Sequence, residues 1–129
     1  MEATITSAKH KELARKKLLE REENVRRENA KLAQRASCDA EAIIAFIASH
    51  YRPSRIYQWG SLLRPGAFRS FSDIDIAIEG IVDAERFFAL LGDVEKLTHF
   101  PLDIVQLEKI EPEYADDIRR NGKLVYECA

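Results

Sequence analysis

Three aspartates carry the chemistry this sequence can offer: Asp73 and Asp75 in SDIDIAIE, and Asp103 in PLDIVQLE. Residues i and i+2 of a strand face the same way, about 7 Å apart. The first two carboxylates therefore leave one face together, while Ile74, Ile76 and Ile78 alternate with them. Asp75 sits inside a β-branched run, where an unpaired carboxylate is costly to bury. Two like charges this close repel, and one tends to keep its proton. A divalent cation removes both problems, and Mg²⁺ takes carboxylate oxygens together with water and substrate phosphates. Asp103, between Leu102 and Ile104 on another strand, supplies the third carboxylate of a two-metal type of site. Such sites hold nucleotide phosphates and ease attack at the α-phosphorus. Asp103 would stand closest to the attacking hydroxyl, as metal ligand or general base.

Gly60-Ser61 is the phosphate-binding candidate. Glycine after a strand lets backbone approach a ligand closely. Ser61 adds a hydroxyl where a helical turn can begin, and N–H groups at a helix start favour phosphate. Arg64, one turn on, can aim a guanidinium at the same group, with Arg69 a weaker candidate. Taken singly, each has a bland reading: a Gly-Ser is usually a turn, an Asp-x-Asp usually caps one, and a lone arginine is a surface charge. The ordered combination carries the argument.

The elements that must position these residues are legible as periodicities. From Ser7 to His50 there is almost no helix breaker, and Pro53 ends the helix by disfavouring helical geometry at Arg52. Leu13, Leu18, Val25, Leu32 and Ala36 form a thin stripe near heptad spacing. It thickens at Ala40, Ile43, Ile44 and Ile47, so residues 1–38 read as a charged helical arm and 39–129 as the folded domain. Strands are expected over 55–59, 73–79, 102–107 and 123–126. Asp83 caps a helix to about Thr98, buried through Phe87, Phe88, Leu90, Leu91, Val94 and Leu97. A short helix spans 112–121, with Pro near its start and Gly122 after it. The fold class is α/β (α+β), a small sheet with helices on one face. Trp59, Phe87, Phe88 and Phe100 read as core; Tyr114, Asp116 and Asp117 read as solvent-facing.

Composition sets limits. The chain of 129 residues is one domain's worth, too short for a catalytic domain plus a full substrate domain. Residues 1–37 hold ten Lys and Arg against six Glu on a chain whose net charge is -2. A solvated helix of mixed charge is the plainer reading of this arm, and a nucleic-acid contact the sharper one. Cys38 and Cys128 lie far apart without a CxxC spacing, and His10, His50 and His99 form no metal spacing. Absence of an apolar leader or membrane-length run points to a cytoplasmic protein with free thiols.

The stretch GSLLRPGAFRSFSDIDIAI, preceded by RIYQW and followed by PLDIVQLE, resembles the DNA polymerase β-like nucleotidyltransferases. Within them it is similar to the minimal nucleotidyltransferases that serve as antitoxins beside HEPN-domain toxins. The resemblance covers roughly Ile56 to Glu127 and implies a mixed, twisted sheet flanked by helices. It implies phosphate binding by Gly60 and Ser61, Mg²⁺ held by Asp73 and Asp75, and Asp103 as third carboxylate. It implies AMP transfer from ATP to a tyrosine of the partner toxin. Two features depart from the pattern: one extra residue in the loop between Ser61 and Asp73, at Pro65-Gly66, and the long arm, which can dock a partner or a second copy. Two other functions remain open: a toxin-neutralising module that binds without catalysis, and a transferase acting on a small molecule or an RNA end.

Overall fold

The computed structural model describes residues 2–129, with side chains from Ser7 onward. One helix, α1 (Glu2–His50), runs unbroken for 49 residues, so arm and domain meet inside a single element. Good helix formers carry it, and Tyr51 and Arg52 close it by donating to the Ile47 carbonyl. Arg52 then turns into the left-handed region, with φ 47°, ahead of Pro53. Ala36, Ala40, Ile43 and Ile47 recur on one face and are fully buried. Leu18 and Val25 continue that face but are each 58% exposed. That end of the helix projects past the body it packs on.

After α1 come β1 (Arg55–Trp59), a 3-10 turn (Ser61–Leu63), β2 (Ile74–Glu79), α2 (Ala84–Glu95), β3 (Leu102–Gln106), α3 (Pro112–Asn121) and β4 (Lys123–Glu127). The strands form one mixed four-stranded sheet in the order β3-β2-β1-β4. β1 runs antiparallel to β2 and β4, while β2 and β3 are parallel and joined through α2. The expected α/β class and long N-terminal helix are both present.

The two faces of the sheet differ. Ile56, Ile74, Ile76 and Ile78 point to one side and join the main core with α1 and with Phe87, Leu90 and Val94 of α2. Tyr57, Ala77 and Leu107 point to the other, beneath Ala115 and Ile118 of α3. Helices therefore cover both faces, which corrects the expectation of one. The reason lies in strand alternation: the small Ala77 leaves room for a helix over positions of opposite parity to the isoleucines. Phe88 also departs from expectation, being 69% exposed. It follows the buried Phe87 by one residue, so the helix turns it about 100° away. Leu97 lies beyond the end of α2 and is exposed as well.

Candidate active site

Strand register builds the site. Across the sheet, Trp59 of β1 pairs with Asp75 of β2, and Asp75 pairs with Asp103 of β3. Directly opposed residues share a face, so Trp59, Asp75 and Asp103 form a row on the α3 side. Asp73 stands immediately before β2, where Ile74 N–H donates to the Pro101 carbonyl at 2.9 Å. Oxygens of Asp73, Asp75 and Asp103 all lie within 4.8 Å of one another. Asp73 is exposed, and the other two are half-buried.

This crowding shows in the electrostatics. Desolvation, then the charges of Asp103 and Asp73, then a hydrogen bond with Asp103, push the Asp75 carboxyl up from 3.8 to about 7. Three hard oxygen donors at this separation, one of them made harder to ionise by burial and by its neighbours' charge, suit a divalent cation such as Mg²⁺. The chemistry of the donor set thus fits the metal the sequence implied.

Gly60 is tied to the same carboxylate. Its φ is 85°, and a Cβ there would meet Asp75 Oδ2 at 2.1 Å and Cγ at 2.9 Å. Glycine is required both for the backbone conformation and for the space the carboxylate occupies. The following 3-10 turn closes through Leu63 N–H to Gly60 O at 3.2 Å and Arg64 N–H to Ser61 O at 3.1 Å. Its own bonding leaves the Ser61 and Leu62 amides free for another acceptor. Ser61, half-buried, is adjacent to the carboxylates through Gly60.

The arginines separate. Arg64 is exposed and makes no ion pair among the described residues. It lines a cavity of about 340 Å³ with Trp59, Gly60, Leu63, Asp117 and Asn121. Arg69 is committed to its own loop, donating to the carbonyls of Gly66 and, at 3.1 Å, Phe68. It serves the turn ahead of Asp73.

Sequence reasoning gave Tyr114 no part in the site. It is exposed, as expected, at 41%, and its ring stands edge-on to Trp59, with ring centroids 5.5 Å apart and planes at 88°. Partial burial, then the nearby charges of Asp103 and Asp75, raise its phenol above the ordinary range. Arg119, one and a half turns along α3, anchors the helix by two bonds to Glu79 at 3.0 and 3.1 Å. The buried Ala115 and Ile118 fix which side of α3 faces the sheet, and Tyr114 leads that side at its first turn. That spacing was the available signal. The face of the sheet that α3 would choose was not written locally.

A mixed sheet that gathers three carboxylates beside a Gly-Ser turn defines the nucleotidyltransferase class of α/β proteins. The chain belongs to the polymerase beta, nucleotidyltransferase family, whose model matches residues 41–128. No curated protein matches it. Among solved structures it is similar to the toxin-antitoxin MntA-HepT, with TM-score 0.54 and 19% identity over 71% of this chain and 73% of that one. A toxin-antitoxin structure with AMP-PNP gives TM-score 0.56 and 23% identity over 68% of this chain and 73% of that one. The tri-AMPylated Shewanella oneidensis HEPN toxin in complex with MNT antitoxin gives TM-score 0.53 and 20% identity over 72% and 73%. At these identities the likeness carries the fold. No helix among the described residues is long and apolar enough to cross a membrane.

Proposed function

We propose that this chain is a Mg²⁺-dependent nucleotidyltransferase that moves AMP from ATP onto a hydroxyl of a HEPN-type toxin and thereby acts as its antitoxin. The observation that carries this reading is the convergence of Asp73, Asp75 and Asp103 within 4.8 Å beside Gly60. Family membership and the AMPylated toxin in a neighbouring complex support the same direction. Cys38 and Cys128 are free and exposed, in keeping with a reducing, cytoplasmic setting.

The three carboxylates would hold Mg²⁺, which when bound supplies positive charge to the triphosphate and to the leaving pyrophosphate. The residues of the chain do the rest. Ser61, with the free amides of the 3-10 turn, binds the β and γ phosphates, and Arg64 screens the outer end. This sets the α-phosphorus over the Asp75–Asp103 pair. Asp103, on the edge strand, receives the acceptor hydroxyl and takes its proton. The open edge at β3 admits a hydroxyl carried on another protein.

The test is intact-protein mass spectrometry of a HEPN-domain toxin incubated with this chain, Mg²⁺ and ATP. The toxin should gain one or more adenylyl groups, and Asp73→Asn with Asp75→Asn should stop the gain. A stable complex without added mass under any of the common NTPs would leave only a binding role.

A further inference from the structure

Tyr114 is the one tyrosine that the fold brings to the carboxylates. Four tyrosines are present in the chain. Tyr51 donates to Asp93 at 2.6 Å and clasps α1 to α2. Tyr57 is buried beneath α3. Tyr126 pairs with Ile56 and packs on the opposite face, against the main core. Tyr114 rises from the first turn of α3 on the face that holds Asp75 and Asp103. Its ring is braced by Trp59, the residue directly across from Asp75. Asp75 in turn pairs with Asp103 across the parallel β2–β3 ladder, so the ring packs at one end of the carboxylate row. A phenol packed on Trp59 at the end of the carboxylate row, and still 41% exposed, is open to serve as an acceptor hydroxyl.

We propose that the chain nucleotidylates itself, in cis, on the Tyr114 hydroxyl when no partner acceptor is docked. The proposal rests on the transferase reading above and deepens it by naming a second acceptor. The Tyr114 oxygen attacks the α-phosphorus of the bound NTP, forming a phosphodiester. The bond between the α-phosphorus and its bridging oxygen breaks, and pyrophosphate leaves with that electron pair. The phenolic proton passes to Asp103 and from there to water. The product holds a nucleotide covalently over the carboxylate row and closes the site to further acceptors.

The experiment uses the full chain alone, with Mg²⁺ and each of the four common NTPs, read by intact mass and peptide mapping. A parallel reaction contains a HEPN-domain toxin as external acceptor. One nucleotidyl group per chain, mapped to Tyr114, is expected. Tyr114→Phe keeps the ring against Trp59 and removes only the acceptor oxygen, so its adduct should vanish. A gain mapped to another residue, or a chain left unmodified in the reaction without toxin while the toxin of the parallel reaction is modified, overturns self-transfer while the transferase reading stands. No gain on either protein with any NTP overturns both. Mixing an Asp75→Asn/Asp103→Asn chain, which retains Tyr114, with the Tyr114→Phe chain tests the geometry. An adduct on the inactive chain would overturn transfer in cis.

Discussion

The two faces of the sheet are covered differently, and the difference explains where chemistry is possible. On one face, four isoleucines lie under α1 and α2 with no polar group among the buried side chains. On the other, α3 is only ten residues long and seals Tyr57, Ala77 and Leu107 before it stops. Beyond its first turn, the next row of the sheet is Trp59, Asp75 and Asp103. The closed face derives its stability from burial without polar groups. The open face tolerates three crowded carboxylates because they keep partial access to water and ions. A site of this kind is a place where the cover ends one row early.

The comparison breaks first at the carboxylates. Asp75→Asn with Asp103→Asn should lower nucleotidyl transfer by on the order of 10³-fold or more while leaving the fold intact, as judged by circular dichroism. The same carboxyl gives a pH signature in the metal-free protein. Asp75 holds its proton to about pH 7 in the folded state, against 3.8 for an ordinary aspartate. The folded state therefore binds more protons than the unfolded state between those values, and stability falls as pH rises through that window. Above it the loss is complete and constant. Asp75→Asn should have little effect at pH 4 and raise the melting temperature at pH 8, with added Mg²⁺ offsetting the difference in the parent chain. Equal melting temperatures at pH 8 would mean that the carboxylate crowding carries no strain.

Gly60→Ala should be next in size. The new Cβ has no room beside the Asp75 carboxylate, and the φ of 85° is unfavourable for any side chain. An activity loss of about 10²-fold is expected, together with about 1–3 kcal/mol of stability. Pairing it with Asp75→Asn will not relieve the clash, because asparagine is as large. Pairing it with Asp75→Ala removes the carboxylate clash but not the backbone strain, so it should recover part of the stability without activity. Chemical denaturation of the single and double variants checks this.

On the closed face, Ile76→Val should cost about 0.5–1.5 kcal/mol in urea unfolding and leave transfer per folded molecule unchanged. A large effect on transfer would mean that the two faces are coupled through β2, and the comparison drawn here would fail.

How much of this could be read locally follows from the same physics. A strand writes its faces in alternation, so Asp73, Asp75 and Asp103 announced a shared face and did converge. The glycine of Gly60-Ser61 was legible as a close approach, yet the atom it makes room for, Asp75 Oδ2, lies fifteen residues away on the paired strand. The contact of Tyr114 with Trp59 and the bonds of Arg69 within its own loop were not legible, for a different reason. A helix periodicity says which side of α3 is buried but not which face of a sheet receives it. The Arg69 loop exchanges its own hydrogen bonds in a way no repeat records. Pairings set by alternation survive translation from sequence to structure, while those set by where one layer meets another do not.

The smallest effect is expected where α1 has least cover. Leu18 and Val25 continue the face that is fully buried from Ala36 onward but are exposed, Val25 at the margin of the body, where it lines a cavity with Gly66, Phe68 and Arg69. If the arm of an isolated chain is a bare helix, Leu18→Lys with Val25→Lys should change stability by no more than about 0.5 kcal/mol, as surface substitutions do. The measurement is thermal unfolding at two protein concentrations about 100-fold apart. A melting temperature independent of concentration in both proteins supports a bare arm, kept for a different partner. A melting temperature that rises with concentration in the parent and not in the variant would show that a second copy covers the stripe, since mass action stabilises only what is bound in the folded state. In that case the open region of this molecule would be confined to the carboxylate row, and the contrast between its sealed and unsealed surfaces would become sharper.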